Sequence, residues 1–261
     1  MGVIFYDTHA HLNDRAFSRD LEEVLDRARA AGVARINVVG WDPVSSRDAV
    51  RLSERYPDLI RAIVGIHPNY SSGWQDSWLR EIEELLGEPG VVAVGEIGLD
   101  LHREHSSLLD QEKGLRAQLG LAIERGLPVV LHIRKAFDRV IPILEEMKPA
   151  RALLHAFSGG LDEAFWAAER GYLLSVTGVI ILGSKRLKAV IKELGAAHLV
   201  AETDCPYISP ARGQRNEPAN VGLVVGRIAG ILGIQLEPVA DALWENSEGF
   251  FGGLTAPPFD R

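Results

Sequence analysis

Eight short apolar runs, at residues 3–6, 36–39, 60–66, 91–94, 128–131, 152–154, 172–176 and 199–201, punctuate the sequence. They are continuous and often β-branched instead of alternating, the pattern of parallel strands buried on both faces. Parallel neighbours need a crossover between them, and the intervening stretches supply it. Residues 45–56, 74–87, 111–126, 136–147, 162–171 and 185–195 read as helices, as do 221–232 and 238–251 after the last strand. Between the first two strands Ser18 is a suitable N-cap; Leu21, Val24, Leu25, Ala28 and Ala31 then share one helical face, charged residues fill the other, and Gly32 follows. Pro142 inside a helix predicts a kink or a late start. Eight strands with helical crossovers predict an α/β fold, a (β/α)8 barrel of the TIM type, with a doubly wound open sheet as the alternative. The 261 residues suit one such barrel. No Pro-, Gly- or Ser-rich linker, repeat or long block of like charge divides them, so one domain over residues 1–261 is expected.

The chain starts without a basic segment leading into an apolar stretch, and no window approaches about 18 uninterrupted apolar residues. A cytoplasmic protein without membrane association is expected. The single cysteine, Cys205, excludes a disulfide framework. A formal charge of −8 argues against a protein that grips nucleic acid mainly through a basic surface. A polyanionic substrate would have to be held by something other than Lys and Arg.

Barrel enzymes carry their chemistry at the C-terminal ends of the strands. Shortly past the apolar runs stand His9 and His11 (first run), His67 (third), Glu96 (fourth), His132 (fifth), His155 (sixth), and Glu202 with Asp204 (eighth). His9 and His11, two apart in extended chain, point to the same face. One histidine behind a strand is most often a satisfied imidazole or a loop residue. Five of the chain's eight at one rim, together with carboxylates, point to a common ligand. The remaining three, His102, His105 and His198, fall in loops or helix ends, and His198 reads as structural. Imidazoles and carboxylates without thiolates suit Zn²⁺, Mn²⁺, Mg²⁺ and related cations. Six ligands exceed the needs of one ion. Two ions sharing a bridging carboxylate would use them all, and such a pair clamps the attacking and leaving oxygens of phosphoryl transfer.

The motifs "DTHAHL" (7–12), "GIHP" (65–68), "GEIGLD" (95–100), "LPVVLH" (127–132), "HAFSG" (155–159), "ETDCPY" (202–207) and "RNEP" (215–218) occur in an order and spacing that resembles the TatD family of metal-dependent deoxyribonucleases over nearly the full length. The resemblance implies an amidohydrolase-type barrel with two divalent ions (Mg, Mn or Zn). His9, His11 and Asp204 would hold the first ion, His132 and His155 the second, and Glu96 would bridge them. Asp204 would also take a proton from the activated water, so that Asp204 and Glu96 are the implied catalytic pair. His67, Arg134 and Arg215 are candidate substrate contacts, with a rim salt bridge as the competing reading for Arg134. In "RNEP", Glu217 and Pro218 read as a helix start.

The sequence departs from the family at residues 133–135, where Ile-Arg-Lys replaces the commoner Ser-Arg-Asp and puts substrate preference in question. Ala156 and Cys205 read as small-residue packing exchanges, and no dedicated base for a Cys205 nucleophile is evident. Three functions are open. The first is hydrolysis of DNA phosphodiesters, from an end or on single strands, with low retention because the surface is acidic. The second is hydrolysis of another ester or amide, such as aminoacyl-tRNA, although the fourth strand lacks the lysine that bridges the metals in several related hydrolases. The third is an inactive scaffold, which should have lost ligands that this chain keeps. No membrane or obligate protein partner is implied. Trp41, Tyr70, Trp74, Trp78 and Tyr207 are aromatic enough to stack on bases if they reach the mouth, and helix packing is the default for Trp78.

Overall fold

The computed structural model describes residues 2–252 except 104 and 212. Eight strands, β1 (Phe5–Ala10), β2 (Val33–Val39), β3 (Ile60–Val64), β4 (Val91–Asp100), β5 (Val129–Arg134), β6 (Ala152–His155), β7 (Leu173–Val176) and β8 (Leu199–Ala201), pair in sequence order, and every pair is parallel. The first strand meets the last through an Ala10–Cys205 bridge, with His11 N–H donating to the Cys205 carbonyl at 2.8 Å and Asp204 N–H to the His9 carbonyl at 2.9 Å. An open doubly wound sheet has two free edges; here the edges find each other, and the fold is the (β/α)8 barrel.

The helices follow as α1 (Leu21–Ala30), α2 (Pro43–Arg55), α3 (Asp76–Leu85), α4 (Leu108–Arg125), α5 (Phe137–Met147), α6 (Leu161–Glu169), α7 (Lys185–Leu194), α8 (Val221–Leu232) and α9 (Leu236–Phe251). Local chemistry sets several ends. Asp42 caps α2 in a reciprocal box with Ser45, and Pro43 takes the first helical position, where a missing N–H costs nothing. Ser107 caps α4, and Gly126, at φ 65°, ends it in the left-handed conformation. Ser18 does not cap α1: it closes the preceding 3-10 turn by donating to the Arg15 carbonyl, and Asp20 occupies the cap position. α5 runs from Phe137 straight through Pro142, so the proline does not delay its start.

One side chain from each strand, Tyr6, Val39, Ile63, Ala93, Val130, Leu153, Leu173 and Val200, fills the barrel interior, and Phe250, Phe251 and Trp244 of α9 close its floor. A second apolar layer joins the outer strand faces to the helices. The opposite end of the barrel is left for polar groups. No single helix among the described residues is long and apolar enough to cross a membrane.

Strand ends differ most from expectation at this polar end. β1 continues through His9 to Ala10, β4 through Glu96 to Asp100, and β5 through His132 to Arg134. Backbone pairing carries these strands on into the mouth after their apolar character has stopped, so His9, Glu96 and His132 lie within them, while His11, His67, Glu202 and Asp204 lie past strand ends as expected. β2 likewise starts at Val33, because a buried Arg35 interrupts its apolar run.

Candidate metal centre

A concavity of about 670 Å³ opens at the C-terminal ends of the strands, and His11, His67, Glu96, His132, His155 and Asp204 line it. His9 lies beneath them, fully buried. Nε2 of His9 and Nε2 of His11 stand 3.3 Å apart. Glu96 Oε2 is 3.4 Å from the former and Asp204 Oδ1 3.4 Å from the latter. Donors about 2.1 Å from one shared ion in tetrahedral array stand about 3.4 Å from each other, so these spacings suit a cation. The other oxygen of the same carboxylate, Glu96 Oε1, faces His132 Nδ1 at 2.6 Å and His155 Nε2 at 3.6 Å. One carboxylate thus turns an oxygen to each half of the cluster.

The surroundings aim these donors. The Val39 carbonyl lies 3.1 Å from His11 Nδ1, Glu202 Oε1 2.8 Å from His155 Nδ1, and Asp100 Oδ2 3.2 Å from His132 Nε2. In each imidazole one nitrogen is engaged from behind, which leaves the other facing the centre. His67 is turned the other way. Its Nδ1 accepts the Asn69 backbone N–H at 3.0 Å, so the neutral ring carries its proton on Nε2, 3.7 Å from Glu96 Oε1. His67 is a hydrogen-bond donor to the mouth. Burial pushes its pKa down to about 3, which keeps the ring neutral.

The charges of the cluster ask for a cation. Burial alone would lower the pKa of His155, yet the carboxylates of Glu202 and Glu96 raise it to about 10. Burial would raise Glu96, but His155, His67 and His132 hold it well below the ordinary carboxylate range. His11 and His132 are also raised against the pull of burial, by Asp204 and by Glu96 respectively. Asp204 is lowered in spite of burial by its bond to His11 and by His155. His9, lowered by burial and by His155, keeps its lone pair. Clustered imidazoles and carboxylates, spaced as above and without thiolates, fit one or more divalent metals.

Asp204 sits on a left-handed backbone turn, φ 55°, behind β8. Aspartate tolerates that region better than most residues. Asp7 fastens the turn from below, accepting the Thr203 N–H at 2.9 Å and the Thr203 hydroxyl at 2.6 Å. Burial raises the Asp7 carboxyl to about 8. Asn216 fastens it from the side: buried, it donates through Nδ2 to the carbonyls of Thr203 and Tyr207, both at 2.8 Å. This gives "RNEP" a mechanical reading. Glu217 and Pro218 do open a helical segment, as expected, and Glu217 takes the Arg27 guanidinium. Replacing Asn216 by alanine strands these carbonyls. The expected cost is about 1–3 kcal/mol of stability, with about tenfold weaker Mn²⁺ binding by the half that contains Asp204; thermal unfolding and calorimetric titration with Mn²⁺ read the two effects.

Of the candidate substrate contacts, His67 and Arg134 reach the mouth and Arg215 does not. Both terminal nitrogens of Arg215 are engaged by Asp20, at 2.8 and 2.6 Å, and its guanidinium lies over Phe17, 4.5 Å from the ring centre. Arg134 forms no rim salt bridge among the described residues. Ile133 is buried among apolar neighbours, so that departure bears on packing, while Lys135 is exposed. Cys205 is fully buried and burial pushes its thiol well up, which fits a packing role. Trp41, Tyr70 and Tyr207 line the mouth, whereas Trp74 and Trp78 pack on the core. Asn69, Asp100, Arg103 and His105 also line it without having been singled out. "GEIGLD" held a signal for Asp100, four residues beyond Glu96 on one extended strand and therefore on the same face.

Residues 6–252 match the model of the family described as TatD related DNase. A metal-dependent hydrolase of Bacillus subtilis, YabD, is 38% identical over 253 residues, which make up 95% of this chain and 99% of that protein. The 3'-5' ssDNA/RNA exonuclease TatD of Dickeya dadantii is 33% identical, with 94% of this chain and 97% of that protein covered. The crystal structure of YjjV, a TatD homologue of Escherichia coli, superposes with a TM-score of 0.90 at 33% identity, covering 95% of this chain and 98% of that one. Matched to this family model over nearly its whole length, and to these relatives over more than nine-tenths of both chains, the chain belongs to the TatD-related DNase family.

Proposed function

We propose that the protein is a metal-dependent phosphodiesterase that removes nucleotides from single-stranded DNA or RNA, as the name of its Dickeya relative describes. The observation that carries this reading is Glu96, with one carboxylate oxygen toward His9 and the other toward His132 and His155. Two divalent ions, held by His9, His11 and Asp204 on one side and by His132 and His155 on the other with Glu96 between, would polarise the scissile phosphate and make water nucleophilic near neutral pH.

The side chains divide the remaining work. Asp204 borders the mouth as a carboxylate and accepts a proton from the attacking water, then returns it to the leaving oxygen. His67, fixed as an Nε2–H donor, offers a hydrogen bond to a phosphate oxygen and brings no second cation to compete with the metals. Asp100 and Glu202 keep the His132 and His155 rings oriented throughout.

The test strips the protein with a chelator, confirms the loss of metal, and resupplies Mg²⁺, Mn²⁺ or Zn²⁺ separately with end-labelled single-stranded DNA, double-stranded DNA and RNA. Ladders that need the metal and shorten single strands from the 3' end are expected. Intact polynucleotide in every metal, from a protein that still binds two ions per chain, would sink the nuclease reading and redirect the search to other esters and amides.

A further inference from the structure

The mouth is divided between two kinds of residue, and the division follows the order of the strands. Trp41, Tyr70, Tyr207 and Asp14 come from the segments behind β2, β3, β8 and β1, which neighbour one another around the barrel. Arg103 and His105 follow β4, whose last residue, Asp100, is turned to His132, and Arg134 ends the adjacent β5. Two rings of the aromatic arc stand over the His9, His11 and Asp204 half, Trp41 and Tyr207 meeting the His11 ring at 5.4 and 5.9 Å between centres, both steeply inclined, while Tyr70 meets the His67 ring at 6.4 Å. The basic arc stands over the His132 half.

Both arcs offer groups to solvent. Tyr207 is 54% exposed and Tyr70 43%, although each is a large ring at the edge of a concave site. Arg103 and Arg134 are exposed and make no ion pair among the described residues, in a chain with eight excess negative charges. Aromatic rings offered to solvent beside free guanidinium groups are what a single strand of nucleic acid needs, faces for its bases and cations for its phosphates. On the aromatic side Asp14, outside the metal cluster, lies within 3.5 Å of the Tyr207 hydroxyl and repels any further phosphate there.

From this asymmetry we infer that the mouth seats the end of a strand: the base of the terminal nucleotide stacks on the arc of Trp41, Tyr70 and Tyr207, and the phosphates of the continuing chain run over Arg103 and Arg134. This rests on the nuclease reading above and adds to it a terminal-base subsite. A chain end fits where the acidic, aromatic side admits a base but no more backbone. The continuing strand leaves over the cations, with the bond to be cut above Glu96.

The experiment compares two single-stranded octanucleotides, one normal and one with an abasic sugar at its 3' end, on the metal-loaded protein and on Tyr207→Ala, Tyr207→Trp and Arg134→Gln. For the unsubstituted protein kcat/KM should fall about tenfold on the abasic strand, through KM more than kcat. Tyr207→Ala should lose about as much on the normal strand and nothing further on the abasic one, and Tyr207→Trp should recover the loss. Arg134→Gln should weaken both strands alike and flatten the salt dependence of KM, with a log–log slope shallower by about 0.7. Equal losses for Tyr207→Ala on both strands, or an abasic strand cut as well as the normal one, overturn the subsite. No cleavage of either strand by the unsubstituted protein overturns the nuclease reading instead, and the inference falls with it.

Discussion

Glu96→Gln is expected to lower kcat/KM on single-stranded oligonucleotide by about 10³-fold or more, equivalent to about 4 kcal/mol of lost transition-state stabilisation. The side chain keeps its shape, but one oxygen becomes an amide that donates protons. Whichever way the amide turns, an N–H replaces an oxygen facing either His9 Nε2 or His132 Nδ1 and His155 Nε2. The shared negative charge that would sit between two cations is also lost. Metal content, measured by mass spectrometry after dialysis, should fall below that of the unsubstituted protein. The fold should persist, because the apolar interior and the β-ladders do not involve this carboxylate. A variant that kept more than about a tenth of the rate with full metal content would remove Glu96 from the centre of the mechanism.

Gly98→Ala is expected to be the most damaging single methyl group that the mouth can receive. Gly98 lies in β4 at φ 146°, a conformation that residues with a Cβ rarely adopt, and it pairs with His132 of β5. A Cβ placed there would meet the His132 carbonyl oxygen at 1.9 Å and the carbonyl carbon at 2.8 Å. Both are backbone atoms within a ladder, so no rotamer change relieves the overlap. The cost should be about 3 kcal/mol or more, and for a chain of this length the melting temperature should drop by roughly 10 °C. Metal binding by the His132 half should weaken as well, since the strand must shift to make room. Gly126→Ala is the control. Gly126 also has a positive φ, 65°, but nothing lies within 4 Å of its Cβ position, so only the left-handed backbone penalty of about 1 kcal/mol is expected. Differential scanning calorimetry on the two variants separates collision from conformation, and a Gly98→Ala protein that melted with Gly126→Ala would show that β4 yields.

Two arginines illustrate how far the sequence could be read. Arg134 follows the motif that ends in His132, Arg215 opens "RNEP", and both are candidates for a phosphate contact by sequence. Arg134 extends β5 into the mouth and has no ion pair among the described residues, while Arg215 is claimed by Asp20 at the start of α1, a partner 195 residues earlier in the chain. Nothing within a few residues of either distinguishes them. Glu202 is similar: its position after β8 was evident, but its use, steering His155 from behind, depends on β6 and β8 reaching the same depth of the barrel. His67 stood among metal-ligating types, and the backbone N–H two residues on decided that it donates.

The sequence by itself determined the number and order of strands and helices, because apolar runs and helical periods are local properties that each segment carries alone. It also determined the kinds of donor at the strand ends. The tertiary structure decided what these donors do. Closure of β1 onto β8 brings His9 and Asp204 together across almost 200 residues, and the strands continue past their apolar runs so that Glu96 reaches both halves of the cluster. A carboxylate bridges, orients or pairs according to what lies within about 4 Å of it, and that distance is set by packing across the barrel, which no local pattern in the chain records.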